Sequence, residues 1–426
     1  MDTDRRKLAF EEVITRLRLL RSQLLEKKDS NIKHHEESCD FSKKQEDRKN
    51  ELQMVSEGFP IPSTAALADE NTSCNDDDVN GSFFSLLKVG SSSGSELEVN
   101  EMCQSSFELV CQNGSVIISH TDELLGIGAY SKVYHGSICF VTQSEEKRDV
   151  AVKVIPLKLY HLNEIDRWIR VLSFQESIVH PSFISSYYAG MPELENEEKY
   201  VKIYIALEKA TGGTLDGFLK KNEKLSEDII RNILSDVLCG LCYLHNTIVA
   251  VHNDVKPQNI LLVMDKESNR VHYKLADFDA VFPALSNQTL TDPEASLSYK
   301  ENKTMSDGNF CGTAIYMSPE SCKGIPYLPS NDVWSIGIMT YQLSTGRLPW
   351  RQLELQVPSM ILHGYREDTS NAFGPTLDEF EGETAHFYSD ELKDMVKACL
   401  AKNVNERPTV EALLQYPFFS YQQDNS

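Results

Sequence analysis

The loop in "VAVHNDVKPQNILLV", residues 249–263, carries a carboxylate, an ammonium and an amide within a few positions: Asp254, Lys256 and Asn259. A carboxylate can take the proton of a hydroxyl, a lysine can neutralise a phosphoryl group, and an amide oxygen can ligate magnesium. Asp277, in "HYKLADFDAVF", follows a strand-like run and adds a second hard oxygen donor for such an ion. Upstream, "DVAVKVI" alternates like a strand and holds Lys153 among apolar neighbours. Burying that lysine is costly unless an anion meets it, and a phosphate would serve. "LLGIGAYSKVYHG" puts Gly126 and Gly128 at a turn between two strands, where backbone can approach a ligand with no Cβ in the way.

These groups need two kinds of scaffold. Beyond Phe107 the pattern is short strands separated by turns, and from about Ser226 it becomes long helical stretches such as "SEDIIRNILSDVLCGLCYLHN" and "DELKDMVKACLAKN". A β-rich half followed by an α-rich half implies an α+β architecture of two lobes. Ahead of them, Phe10, Val13, Leu17, Leu20 and Leu24 recur three and four apart on one stripe of a helix assigned to residues 1–28. The stripe is too short to establish a coiled coil; it could serve self-association or a partner helix through residues 10–24, or pack on the chain's own body. Residues 29–112 are rich in Ser, Asn, Asp and Glu, a composition that cannot repay its ordering entropy and reads as a disordered linker.

The net charge of −22 argues against a sequence-independent nucleic-acid or anionic-membrane binder and favours a basic protein partner or substrate. Apolar runs fall short of a membrane span, and the start, MDTDRRKLAF, is charged where a signal peptide is apolar. Ten scattered cysteines read as reduced thiols. An intracellular protein, cytoplasmic or nuclear, is expected. Cys239 and Cys242, in an apolar helical pattern, read as buried structural cysteines.

The ordered series of glycine-rich loop, "VAVK", "HNDVKPQN", "DFD", "GTAIYMSPE" and "DVWSIG" resembles the eukaryotic protein kinase family over roughly residues 116 to 419. The resemblance implies a bilobal fold over residues 113–421, with an N-lobe at 113–207, a hinge at 208–214 and a C-lobe at 215–421. It implies ATP and Mg2+ as cofactors and a protein hydroxyl as acceptor. By the same resemblance, Gly126 and Gly128 cover the nucleotide, Val133 and Ala151 roof the adenine, and Leu261 floors it. Leu207 is the implied gatekeeper, the backbones of Glu208 and Ala210 meet the base, and Lys153 holds the α- and β-phosphates. Asp254 and Lys256 are the implied catalytic pair, and Asn259 and Asp277 the metal ligands. Glu320 is expected to pair with Arg407, and Asp332 to anchor the catalytic loop. Lys256 together with Thr313 resembles the Ser/Thr-directed branch.

Four positions depart from the family pattern. Ser131 replaces the third glycine of the loop, Asn253 the arginine before the catalytic aspartate, and Asp279 the glycine of the metal-binding segment. The fourth is the helix glutamate that orients Lys153 in the family. Counting back about nine residues from His180 lands on Val171, leaving Glu164 and Asp166 as the acids nearby. Two readings therefore stand: an active serine/threonine kinase, and a nucleotide-binding pseudokinase acting as a scaffold or allosteric regulator. Asn253 cannot receive a phosphorylated activation segment as an arginine would, so Thr289, Thr291, Ser296, Ser298, Thr304 and Ser306 are expected to be dispensable.

Overall fold

The computed structural model describes residues 3–26, 107–111, 116–141, 146–159, 161–193, 200–265, 268, 270–284, 312–322, 325, 327–350 and 375–420. Most of the stretch read as a linker, and the six hydroxyl residues of the activation segment, lie outside the described residues.

Helix α1, residues 3–26, comes first. Strands β1 (Phe107–Cys111), β2 (Val116–Ile127), β3 (Lys132–Phe140) and β4 (Glu146–Lys158) follow. Helix α2 (Leu162–Ser177) then precedes β5 (Ser186–Gly190) and β6 (Tyr200–Leu207). All six strands form one antiparallel sheet in the order β1-β2-β3-β4-β6-β5. The sheet starts at Phe107, a few residues inside the stretch that composition assigns to the linker.

Alternation along β4 explains how a lysine becomes buried. Side chains at successive positions face opposite sides of a sheet. Val150, Val152 and Val154 pack on one side with Ile118, Ile138, Tyr188 and Tyr204. Ala151, Lys153 and Ile155 face the other side, and Ile155 joins the main core. That core runs from the sheet through α2 into the helical lobe.

The second lobe contains α3 (Leu215–Asn222), α4 (Glu227–Tyr243), the short strands β7 (Ala250–Val251), β8 (Ile260–Met264), β9 (Val271–Leu275) and β10 (Phe282–Pro283), and then α5 (Pro319–Cys322) and α6 (Pro329–Thr345). Residues 252–259 lie between β7, which pairs with β10, and β8, which pairs with β9. Helix α6 has proline in its first turn, is buried along most of its length, and ends on Gly346 at φ 74°. Four shorter helices close the lobe: α7 (Asp378–Glu381), α8 (Asp390–Cys399), α9 (Val410–Leu414) and α10 (Pro417–Ser420). This is the bilobal α+β architecture expected.

The apolar stripe of α1 is used within the chain. Phe10, Val13 and Leu17 are almost wholly buried, and Leu20 and Leu24 pack on the same core as Ile165, Trp168 and Leu172 of α2. The seam is therefore covered by the protein's own body, which corrects its reading as a surface for self-association or a partner helix. Three arginines reinforce the docking. Arg6 donates to the carbonyls of Gln175 and Ile178, Arg16 donates to the carbonyl of Met191 at 2.6 Å, and Arg21 is ion-paired with Asp166.

Cys239 and Cys242 are not the buried structural cysteines expected. Cys239 is exposed and Cys242 only half-buried, its thiol donating to Glu411 Oε1 at 3.4 Å. The helical period turns Cys239 outward, while its neighbours Val237, Leu238 and Leu241 fill the core. Partial desolvation and nearby carboxylates raise both thiols above their ordinary range. Among the described residues, no helix is long and apolar enough to cross a membrane.

Candidate active site

Both oxygens of Asp254 are held by donors. Its Oδ1 accepts from the Thr313 N–H and hydroxyl, each at 2.8 Å. Its Oδ2 accepts from Lys256 Nζ at 2.7 Å and from Asn259 Nδ2 at 2.8 Å. Lys256 also donates to the Thr313 hydroxyl. The charge-assisted contacts fix the carboxylate in one orientation without covering it fully. Gly312, at φ 102°, allows this approach, because a Cβ there would stand 2.3 Å from the Asn253 carbonyl.

The loop is anchored from below by Asp332 of α6, which is completely buried. It accepts from His252 N at 2.9 Å and Asn253 N at 2.8 Å, and pairs with His245 Nε2 at 2.8 Å. A buried carboxylate needs such partners, and here they hold the backbone just before Asp254. Asn253 takes φ 64°, a left-handed conformation in which asparagine is enriched over most residues. Its Nδ2 donates to the Ala280 carbonyl at 3.3 Å, so a neutral amide ties the loop to the segment after Asp279.

Asp277 is likewise left-handed, at φ 65°. Phe278 is buried, with its ring 5.5 Å from that of Phe183 and 5.8 Å from that of His252. This packing sets the direction of the two flanking aspartates. Lys153 Nζ lies 2.8 Å from Asp277 Oδ1 and 2.6 Å from Asp279 Oδ1. Burial by itself would lower the lysine's pKa, but the two carboxylates hold it above its ordinary value. One cation cannot serve both acids equally. Burial would raise Asp277, yet Lys153 holds it below the usual carboxylate range. Asp279 is pushed up by burial and then by the Asp277 charge.

Neither helix acid reaches Lys153. Glu164 Oε2 accepts from the Lys158 N–H at 3.4 Å, and Asp166 is taken by Arg21 of α1. Val171, the counted position, is buried in the core. The helix instead presents Trp168, whose ring centroid is 5.9 Å from Lys153 Nζ. Arg167 donates from Nη2 to the Asp279 carbonyl at 3.0 Å and lies 3.9 Å over the Tyr130 ring at the tip of the glycine-rich turn.

Among the residues assigned to the nucleotide, Gly126, Val133, Lys153, Ala151 and Leu207 lie on neighbouring strands of one sheet. Gly126 pairs with Val133 across β2 and β3, Val133 with Lys153 across β3 and β4, and Ala151 with Leu207 across β4 and β6. The Gly128 N–H closes its turn on the Ser131 carbonyl at 2.8 Å. Leu261 on β8 bridges to Thr214, at the end of the implied hinge. Glu208 has its N–H on the Ser185 carbonyl at 2.8 Å and its carboxylate on Lys274 at 2.7 Å, so its carbonyl is the backbone group left for a ligand. Asp277 and Asn259 are oxygen donors of the kind magnesium takes, one or two from protein with the rest from water and phosphate. Asn259 spends its Nδ2 on the Asp254 carbonyl and carboxylate, which leaves its amide oxygen for a cation. The donor set therefore fits a phosphate-bound magnesium ion.

Two structural contacts stand where expected: Glu320 is bidentate with Arg407, with Nη2 to Oε2 at 2.8 Å, and Asp332 holds the loop that carries Asp254. The Lys153 contact of Asp279 and the Arg167 bridge are additions that motif spacing did not reveal. The one signal available for them was an acid at 279 together with none at 171.

The protein kinase domain model matches residues 119–419. The chain belongs to the protein kinase family. It is 27% identical over 398 residues to the MAP kinase kinase MKK1/SSP32 of Saccharomyces cerevisiae, covering 88% of this chain and 72% of that protein. It is 29% identical over 295 residues to the testis-specific serine/threonine-protein kinase 2 of Mus musculus, covering 68% of this kinase and 70% of the mouse protein. Mitogen-activated protein kinase kinase 3 of Arabidopsis thaliana is 31% identical over 219 residues, 51% of this chain and 36% of the plant protein.

Proposed function

We propose that this kinase is active and transfers the γ-phosphoryl group of ATP to serine or threonine hydroxyls of a protein. The observation that carries this reading is the position of Asp254, clamped by Thr313, Lys256 and Asn259 in a cleft that also holds Lys153 against Asp277. Asp254 orients the acceptor hydroxyl and takes its proton. Lys256, 2.7 Å from that carboxylate, offers positive charge to the transferring group, and Lys153 offers it to the phosphates behind. Asn259 and Asp277 would hold Mg2+, which neutralises phosphate charge when bound. The cleft roof of Val133 and Ala151, its floor at Leu261 and the hinge at Glu208 and Ala210 would enclose the adenine. Lys256 and Thr313 act as one hydrogen-bonded unit with Asp254, which supports serine and threonine over tyrosine as acceptors. The acidic chain favours a basic protein substrate in the cytoplasm or nucleus.

A pseudokinase reading draws on the lack of a helix acid at Lys153. The test is transfer of radiolabelled γ-phosphate from Mg-ATP to matched peptides bearing Ser, Thr or Tyr. Label on Ser or Thr supports the proposal. Nucleotide binding without label in any peptide or in the chain itself favours the pseudokinase.

A further inference from the structure

We propose that Asp279 is the positioning residue for Lys153, so that the lysine is aligned from the Asp277-Phe278-Asp279 segment and not by an acid on α2. The inference rests on the nucleotide-binding reading above and says which residue prepares Lys153 for the phosphates. Both acids near the start of α2 are engaged elsewhere, Asp166 with Arg21 and Glu164 with the Lys158 N–H. Trp168 occupies the helix face nearest the lysine, and Asp279 Oδ1 is the nearer of its two carboxylate partners, at 2.6 Å against 2.8 Å for Asp277.

The stoichiometry of donors makes the arrangement workable. An ammonium has three N–H donors. Two are directed to Asp277 and Asp279, and the third remains for a phosphate oxygen. Asp277 is also the residue whose oxygens suit a magnesium ion. A lysine dependent on Asp277 alone would compete with that ion for the same carboxylate, and Asp279 relieves the competition.

Asp279 is itself held. Its side chain is 13% exposed, and its carbonyl accepts from Arg167 Nη2 at 3.0 Å and Nε at 3.3 Å. The same guanidinium stacks on Tyr130 of the glycine-rich turn at 3.9 Å. Helix α2 thus reaches the nucleotide cleft through an arginine on a backbone carbonyl, and the carboxylate that meets Lys153 comes from the carbonyl's own residue.

The experiment uses the full chain and two readouts. Calorimetric titration with Mg-ATP should show Asp279→Asn binding about tenfold or more weakly than wild type, the scale of one charge-assisted contact. Asp279→Glu, which keeps the carboxylate, should recover most of that loss, while Glu164→Gln and Asp166→Asn should stay within about twofold of wild type. In nucleotide-free protein, the melting shifts of Lys153→Met and Asp279→Asn should be non-additive in the double variant. Additive shifts, or wild-type affinity in Asp279→Asn, would overturn the proposal. Absence of Mg-ATP binding by the wild type would overturn the nucleotide reading instead, and the melting cycle would still decide the Lys153–Asp279 pairing.

Discussion

Arg6 and Gln175 are 169 positions apart, and Arg6 Nη2 donates to the Gln175 carbonyl at 2.7 Å. Arg6 also donates to the Ile178 carbonyl at 3.0 Å, so the first helix caps the C-terminal end of α2, where carbonyls lack partners in the helix. With Phe10, Val13 and Leu17 buried beside it, α1 braces the helix that bears Arg167 and Trp168.

Loss of that brace should be felt at the cleft. Deleting residues 1–26 is expected to lower the melting temperature and to reduce turnover on a generic peptide. Leu17→Ala alone should cost about 2–5 kcal/mol of stability, as for other large-to-small core changes. Denaturant titration and steady-state assays check both. Wild-type turnover in the truncated chain would mean that α2 needs no support from α1.

The Glu320–Arg407 pair should be among the most sensitive points of the helical lobe. The Arg407 side chain is fully buried and that of Glu320 is 8% exposed. Removing one partner leaves an uncompensated buried charge, so Glu320→Gln or Arg407→Met should each destabilise by about 3–5 kcal/mol. The double variant should recover part of that loss, measured by the same denaturant titration.

The fold was legible, and so were the residues of the proposed site, Lys153, Asp254, Asn259 and Asp277, because each sits in a short motif whose local order is carried by neighbouring residues; the structure pairs Lys153 with Asp277 and Asn259 with Asp254. Alternation in "DVAVKVI" even predicts which face carries the lysine. The Lys153–Asp279 contact was not legible, since it joins residues 126 positions apart and depends on the left-handed turn at Asp277 and the packing of Phe278. A count from His180 assumes a fixed helix register, and it gave Val171, a core residue. The stripe of α1 was visible as a pattern, but periodicity reports that a face is apolar and not what covers it. The three arginines that choose its partner have no spacing signature.

Activity should not require phosphorylation of the activation segment. Asn253 offers an amide to the Ala280 carbonyl where an arginine would offer a charged fork to a phosphate. Phosphatase-treated protein, and a variant with Ala at Thr289, Thr291, Ser296, Ser298, Thr304 and Ser306, should turn over at near wild-type rates. A fall of about tenfold or more would show that another basic group receives the phosphate.

Stability should decline on mild acidification partly through His252. This ring is fully buried; Nδ1 faces the Asp254 N–H at 3.3 Å and Nε2 faces the Ala276 carbonyl at 3.2 Å, which suits a neutral imidazole. Burial lowers its pKa despite the carboxylates of Asp332, Asp254 and Asp277 nearby. The unfolded chain then binds this proton more readily than the folded one. The contribution is therefore fully present above the unfolded value of about 6.5 and is lost as pH falls through the lowered folded value. Denaturation midpoints measured from pH 8 down to about 5 should fall less steeply in His252→Gln than in wild type.

If Asp254 works as a base in the kinase cleft, comparing phosphoryl transfer by wild type and Asp254→Asn will show it. The amide keeps the shape and can still meet Thr313 or Lys256, but it cannot accept the hydroxyl proton. With Mg-ATP and a serine peptide, wild type should transfer label and Asp254→Asn should be slower by about 10²–10⁴-fold, with nucleotide affinity little changed. Equal transfer by the two proteins, or none by wild type that binds Mg-ATP, would mean that Asp254 is not the base.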